Sequence, residues 1–369
     1  MPPVPCTRPK RVKLAGIREQ VPEDPLDEPR VQRLRRQARV DIHLGLEPPR
    51  PRHALVLCDR ALEEGVDGDG SAPGGLPRGR RAVMRKLVDD ANRAQRDYWN
   101  ERSGPTWVRH QEDLDAMLRG IGLATIDRLA PRAGERVLDV GCGCGETTVE
   151  LGRRIGAGGS VLGLDLSGPM LARARERARD LPQVRLLEAD VQTHPFATAS
   201  LDAAFSRFGV MFFADPVAAF GNVRAALRPG GRLGFVCWQE LRNNPWCMVP
   251  LAAVAKHVPL PPPPSPEEPG PFSLGDPDRV RGILERAGLG EVAIEALEVA
   301  ISPGGSRSLE DAVDFIMLVG PSARIVRELP DDRKAVVREA IAEALAPFAG
   351  PEGVRLGGAC WVVTARHPA

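Results

Sequence analysis

Residues 137–151 read VLDVGCGCGETTVEL. Gly141, Gly143 and Gly145 alternate, with Asp139 two residues before them and Glu146 directly after. Glycine lets a backbone take positive φ and come close to a ligand. An apolar run, a glycine turn and a helix place this turn at the carboxyl end of a strand, where open α/β sheets bind their ligands. Two chemistries compete for it. A pyrophosphate would sit on the helix N-terminus above a GxGxxG turn. The third glycine of that pattern falls at position 146, which is Glu146. A carboxylate there repels a doubly charged phosphate pair, whereas a ligand with positive charge and no phosphate tolerates it.

The second chemistry fits the GxGxG loop that binds S-adenosylmethionine, which carries a sulfonium and an ammonium against one carboxylate. Two further acids suit it. Asp165 ends the next apolar run, 24 residues after Gly141, and an acid there can accept hydrogen bonds from both ribose hydroxyls. Asp190, in EAD at 188–190, can accept from an adenine amino group. LDAAFSRFGVMFF at 201–213 then supplies a polar pair followed by bulky apolar residues, a wall for a methyl-transfer cavity. The bland readings are a plain turn, a helix N-cap, a solvated strand end and ordinary core. Cys142 and Cys144, two apart, read as small residues in a crowded turn, since zinc sites need wider spacing and more ligands. No metal site is expected.

These residues need elements to hold them. Short apolar runs at 136–140, 160–165, 184–188, 201–205 and 231–237 alternate with helical segments near 146–155, 168–180 and 215–228. Strands without polar alternation, separated by helices, predict a parallel sheet covered on both faces. Right-handed crossovers make it an open, doubly wound α/β sheet. Residues 84–98 and 107–130 carry helical spacing and would form an N-terminal cap over 84–130. The cofactor-binding core would then span 131–238. Beyond Trp238, helices are expected at 245–258, 276–287, 308–319 and 331–347, and strands at 291–300 and 354–365. The region 239–350 reads as a cap and substrate region, with 351–369 as a C-terminal edge strand. Within it, PLPPPPSPEEPGP (259–271) has eight prolines in thirteen residues and reads as a stiff, exposed flap.

The start of the chain is different. All sixteen aromatic residues lie at or beyond Tyr98. Residues 1–83 carry 16 Lys and Arg, 12 Asp and Glu, and 12 Pro. Such a segment buries little apolar surface and is expected to be disordered, or to be an extension ahead of a natural start at Met84. Its acids interleave with its arginines and it has no aromatic for base stacking, so no nucleic-acid partner is expected. The whole 369-residue chain has a net charge near +1, which favours neither nucleic acid nor an anionic membrane. No apolar run long enough to cross a membrane and no secretory signal are read from it. The seven cysteines are scattered without a CxxC pair, which suits a reducing cytoplasmic compartment.

From about Tyr98 to Trp238 the chain resembles class I S-adenosylmethionine-dependent methyltransferases, in particular the ubiquinone/menaquinone-biosynthesis-type (methyltransferase domain 11) group. VLDVGCGCGETT, VLGLDLSGPML, EADVQTHPF, DAAFSRFGVMFFADP and ALRPGGRLGFVCW carry the resemblance, in the family's order and spacing. YWN with WVRHQEDLDAML is similar to that group's N-terminal cap. The resemblance implies a seven-stranded Rossmann-like sheet of order 3-2-1-4-5-7-6 with strand 7 antiparallel, and a helical cap. It implies that Gly141, Gly143 and Gly145 approach the methionyl part of the cofactor and that Asp139 orients the loop and meets the amine through water. Asp165 and Leu166 would take the ribose, Asp190 and the backbone of Val191 the adenine. The backbone of Ser206 or Arg207 would lie near the amine and Phe208 near the sulfonium.

Methyl transfer from a sulfonium needs alignment more than acid–base chemistry. If the acceptor arrives protonated, His110 and His257 are the candidate bases, and Tyr98 could close over the cofactor; each has a surface or cap reading beside it. The expected activity is metal-free methyl transfer to a small molecule. A nicotinamide-dependent oxidoreductase and a non-catalytic cofactor-binding protein are the alternatives.

Overall fold

In the computed structural model, residues 11–12 and 92–369 are described, apart from 266 and 307. Seven strands make the main sheet: β1 Arg136–Val140, β2 Ser160–Asp165, β3 Val184–Glu188, β4 Leu201–Arg207, β5 Leu227–Trp238, β6 Gly290–Ile301 and β7 Leu356–Arg366. Their spatial order is 3-2-1-4-5-7-6, with Arg11–Val12 paired outside β6. The first five strands are parallel. β7 runs antiparallel to both β5 and β6, with Trp361 opposite Cys237 on one side and Ala296 on the other.

This arrangement corrects one expectation. The closing strand is not at the edge but inside the sheet. The reason is legible in its composition: ACWVVTA is apolar on both faces and almost wholly buried, as an interior strand must be. β6 carries Glu291, Glu295 and Glu298 and buries only Leu297 and Ile301, which suits a place near the end of the sheet. The expectation of disorder over 1–83 lies outside the described residues except at Arg11 and Val12. Those two residues pair in parallel with Ala296 and Leu297.

The helix expected over 107–130 is two. α1 (Ser103–Arg109) ends at His110, and α2 (Gln111–Leu129) follows. α3 (Glu146–Ile155) and α4 (Gly168–Ala178) come from the first two crossovers, and α5 (Pro216–Ala226) from the fourth. Ser167 and Asp215 cap α4 and α5 through bonds to Met170 N and Ala218 N, satisfying backbone donors that helix starts leave open. On one face of the sheet Ile126, Leu129, Leu151 and Ile155 close over Val137, Val161 and Phe205. The core of the other face runs on through Phe235 and Trp361 into Phe315 and Ile341 of the C-terminal helices.

Those helices are α6 (Pro245–Ala255), α7 (Pro277–Arg286), α8 (Leu309–Leu318), α9 (Pro321–Val326) and α10 (Asp331–Leu345). α9 has no counterpart in the sequence reading; six residues are too few to show a period. The described residues of 259–271 form neither helix nor strand, and 259–264 are exposed. The far end of the flap is tied down, with Gly270 N and Ser273 Oγ both donating to the carbonyl of Met211 at 3.0 and 2.7 Å.

Candidate active site

The loop after β1 alternates residue by residue. Gly141, Gly143 and Gly145 have φ of +66°, +55° and +83°, a region that residues with a Cβ occupy only under strain. Space forbids a side chain too. A Cβ on Gly141 would lie 2.8 Å from Gly209 Cα, and one on Gly145 2.8 Å from Ala174 Cβ. The loop spends its donors internally. Gly141 N and Cys142 N bond Leu164 O, Gly145 N bonds Cys142 O, and Gly143 N bonds Asp165 Oδ2. Four of the five backbone N–H groups of 141–145 are thus unavailable to the phosphate nest that glycine turns otherwise build. Burial pushes the Cys142 and Cys144 thiols up, Cys144 to about 12, so both act as small apolar fillers.

Asp139 is completely buried. Its Oδ2 accepts from Thr147 Oγ1 at 2.9 Å and Thr148 Oγ1 at 2.6 Å, while Oδ1 is buried without a hydrogen-bond partner among the described residues. Burial raises its pKa to about 6, against the pull of the two threonines. A buried carboxylate oxygen with nothing to accept from is a place for a cationic or hydrogen-donating group. Thr147 and Thr148 were missed in the sequence, although ETT directly after the glycines puts both hydroxyls in the first turn of α3.

Glu146 has a different role from the one its sequence position implied. Its carboxylate pairs with Arg207 and, at 3.0 Å, with Arg119. Burial pushes it up while Arg207 pulls it down. Asp115 of α2 adds ion pairs to Arg177 at 2.9 Å and Arg207 at 3.8 Å. The acid therefore faces arginines, not an open ligand site, and it is the spent N–H groups that argue against a pyrophosphate. A cavity of about 300 Å³ opens beside this network, between α2 and α3, lined by Arg119, Gly122, Glu146, Thr147 and Arg207 among others.

Asp165 and Asp190 both lie at carboxyl ends of their strands, as expected. Asp165 accepts from Gly143 N at 2.8 Å and Ser167 N at 2.9 Å, and burial raises its pKa. Asp190 accepts from Gln192 N at 2.9 Å and from the amide of Asn92. Asn100 spans the same edge, donating to Leu166 O at 2.8 Å and accepting from Gly168 N at 2.9 Å. Ser167 Oγ donates to Trp99 O at 2.9 Å. Residues 92–102 are thereby strapped across the ends of β2 and β3. Val191 is buried, its carbonyl held by Asn222 Nδ2 at 2.7 Å.

At the end of β4, Ser206 Oγ donates to Val140 O at 2.8 Å, tying β4 to the start of the glycine loop. Phe208 follows with φ +63°, a strained value for a bulky residue. Its ring stacks on Trp238 at 4.5 Å and 13°, and its N–H bonds Val236 O at 3.0 Å. Tyr98 stands edge-on to Trp99 at 5.4 Å, with the Arg324 guanidinium 5.7 Å above its ring. His110 sits between α1 and α2, its Nδ1 3.4 Å from Asp113 Oδ2. His257 lies beyond the far end of α6, where its carbonyl accepts from Arg333. The structure thus gathers the glycines, Asp139, Asp165, Ser206 and Phe208 at one edge and leaves His257 outside that group.

Residues 137–231 match the family described as a methyltransferase domain. Nocamycin O-methyltransferase of Saccharothrix syringae is 31% identical over 250 residues, 63% of this chain and 85% of that protein. Demethylmenaquinone methyltransferase of Thermus thermophilus is 41% identical over 110 residues, 29% of this chain and 49% of that protein. Aklanonic acid methyltransferase of a Streptomyces species is 34% identical over 117 residues, 31% of this chain and 53% of that protein. The chain spans about half the length of several curated relatives it matches. None of these relatives is named as a nicotinamide enzyme. With the 3-2-1-4-5-7-6 sheet and the left-handed glycine loop already in place, the match along most of one relative settles the assignment: the chain belongs to the class I S-adenosylmethionine-dependent methyltransferases.

Proposed function

We propose that this protein transfers the methyl group of S-adenosylmethionine to an uncharged small-molecule acceptor, at an oxygen or carbon atom. The observation that carries the reading is Asp139: a buried carboxylate with one unpartnered oxygen beside a loop whose N–H groups are already spent. That environment suits a cationic ligand and not a phosphate. The acceptor atom is taken from relatives named as O-methyltransferases and as C-methyltransferases.

In this reading Asp139 holds the amine end, and Gly141, Gly143 and Gly145 let the methionyl chain lie against the backbone. Asp165 with Leu166 takes the ribose, Asp190 and Val191 the adenine. The Ser206–Arg207 backbone borders the amine, and Phe208 walls the methyl. When bound, the cofactor supplies a methyl on a sulfonium with a neutral leaving group. The protein's task is then to align the acceptor in line and keep water away. A neutral hydroxyl or enol loses its proton on transfer, and His110, near Asp113, is the candidate to take it. Calorimetric titration with S-adenosylmethionine and with a nicotinamide dinucleotide tests the reading. Binding of the first alone supports it, and binding of the second alone ends it.

A further inference from the structure

Residues 92–102 lie across the ends of β2 and β3. Residues 92–97 are helical and run into a π-helical turn, Tyr98–Arg102, a rare form that is frequent at functional sites. The two ends of this strap are anchored differently. At one end Trp99 stands edge-on to Trp107 and Phe212 at 5.7 and 5.2 Å. A Cβ on Gly104 would lie 2.0 Å from Trp99 O, so the strap's backbone is pressed against α1 there. The same end is bonded to the turn 166–168 through Trp99 O and both polar atoms of the Asn100 amide. At the other end Arg93, Ala94, Arg96 and Asp97 are exposed. From that end the half-buried Asn92 donates its side-chain amide to Asp190 Oδ2, 98 residues further along the chain.

The two strand-end acids therefore differ in what holds them. Asp165 accepts from the backbone N–H groups of Gly143 and Ser167. Asp190 gives Oδ1 to the N–H of Gln192 in its own turn at 2.9 Å and Oδ2 to a side chain of the strap. A primary amide and the 6-amino group of adenine are alike as donors. Each is a nitrogen carrying two hydrogens, and each bonds more strongly to an ionised acceptor than to a neutral one. Asn92 thus makes to Asp190 the contact that the methyltransferase reading gives to adenine.

We propose that Asn92 and the adenine amino group are competing donors for Asp190, so that the arriving cofactor takes the carboxylate from Asn92 and releases that end of the strap, which turns about its Trp99 end. This rests on the methyltransferase reading and adds to it a conformational step that reports the base.

The test is calorimetry on the full chain with two ligands, S-adenosylhomocysteine and S-inosylhomocysteine, whose base carries a carbonyl in place of the amino group. Asn92→Ala removes the competing amide, and Asn92→Leu removes it at about the same bulk. Both should bind S-adenosylhomocysteine about tenfold more tightly than the parent, the change expected for one hydrogen bond to a charged group. Neither should gain with S-inosylhomocysteine, which brings no amino group to displace Asn92. Amide hydrogen exchange gives a second readout. In the parent, exchange over 92–97 should quicken when S-adenosylhomocysteine binds, the reverse of the protection that a closing lid gives. The proposal is overturned if the variants bind S-adenosylhomocysteine like the parent or more weakly, if both ligands gain equally, or if exchange over 92–97 slows on binding. Should Asn92→Ala lose its near-ultraviolet circular dichroism, Asn92→Leu decides. The two readings fail separately: a parent that does not bind S-adenosylhomocysteine ends the methyl-transfer reading, whereas a parent that binds it no less tightly than the variants ends the competition alone.

Discussion

The glycine loop and a row of aromatic rings meet at Phe208 but are built by opposite means. The loop is short, and four of its five N–H groups are already bonded. Their acceptors are Leu164, Cys142 and Asp165, and the loop's geometry is fixed by positions where no Cβ fits. Phe208, Trp238 and Trp246 are instead held by ring contacts. A ligand common to many acceptors can be met by a rigid backbone cradle, because its shape never changes. Ring contacts can be exchanged side chain by side chain without disturbing the sheet, whereas a backbone cradle cannot.

If the loop's rigidity is steric, one added side chain should have the largest effect of any single change. Gly141→Val demands a strained φ and places a Cβ 2.8 Å from the backbone of Gly209. We expect a loss of stability of about 3 kcal/mol or more together with loss of cofactor binding, read by urea denaturation and calorimetry. A variant as stable as the parent would mean that the loop yields, and the contrast with the row would collapse.

Asp139→Asn comes next, and it should move two quantities in opposite directions. The folded pKa of about 6 lies above the ordinary carboxylate value. The folded protein therefore holds its proton longer than the unfolded chain does. Stability from this group falls as pH rises from about 4 to about 6, by about 3 kcal/mol in all, and is level above that. Asparagine should abolish that fall and leave the protein no less stable at pH 7. Cofactor affinity should drop by about 2 kcal/mol, since a charge-assisted contact is lost. In the parent, affinity should decline below pH 6 as Asp139 takes up its proton. Affinity that is flat from pH 7 to 5 would remove Asp139 from the site.

Asp165→Ala should weaken S-adenosylmethionine binding by about 1–3 kcal/mol. It also frees the Gly143 and Ser167 N–H groups, so loop order must be followed in parallel by amide hydrogen exchange. Equal affinity for mutant and parent would place the ribose elsewhere.

The smallest effect is expected at the flap. Residues 259–264 are exposed and irregular, while the far end is tied to Met211. A low-specificity protease should cut within 259–264 and leave the melting temperature of the nicked protein unchanged. Bound cofactor and acceptor together should slow the cut if the flap gates the site. Resistance equal to that of the sheet would end the gating idea.

Most of the sheet was legible because its signals are local. Five apolar runs separated by helical periods declare parallel strands, and alternate glycines declare a turn that needs positive φ. The places of Asp165 and Asp190 at strand ends are legible because the end of an apolar run marks where a strand stops. The interior place of β7 follows from the family's sheet order and from its two apolar faces, while its position at the end of the chain suggests an edge. α9 was invisible because six residues show no period. The pairing of Glu146 with Arg207, 61 residues away, could not be read either, since no local rule joins a helix start to a distant strand end.

By itself, then, the sequence determined the parallel core, the left-handed loop and the acids that face it, because backbone conformation and strand ends depend on near neighbours. Tertiary structure alone decided which charges cancel, which carboxylate oxygen is left unmet, and that Phe208, Trp238 and Trp246 form one row. Those depend on contacts between residues far apart in the chain, brought together only when the sheet closes and the C-terminal helices settle on it.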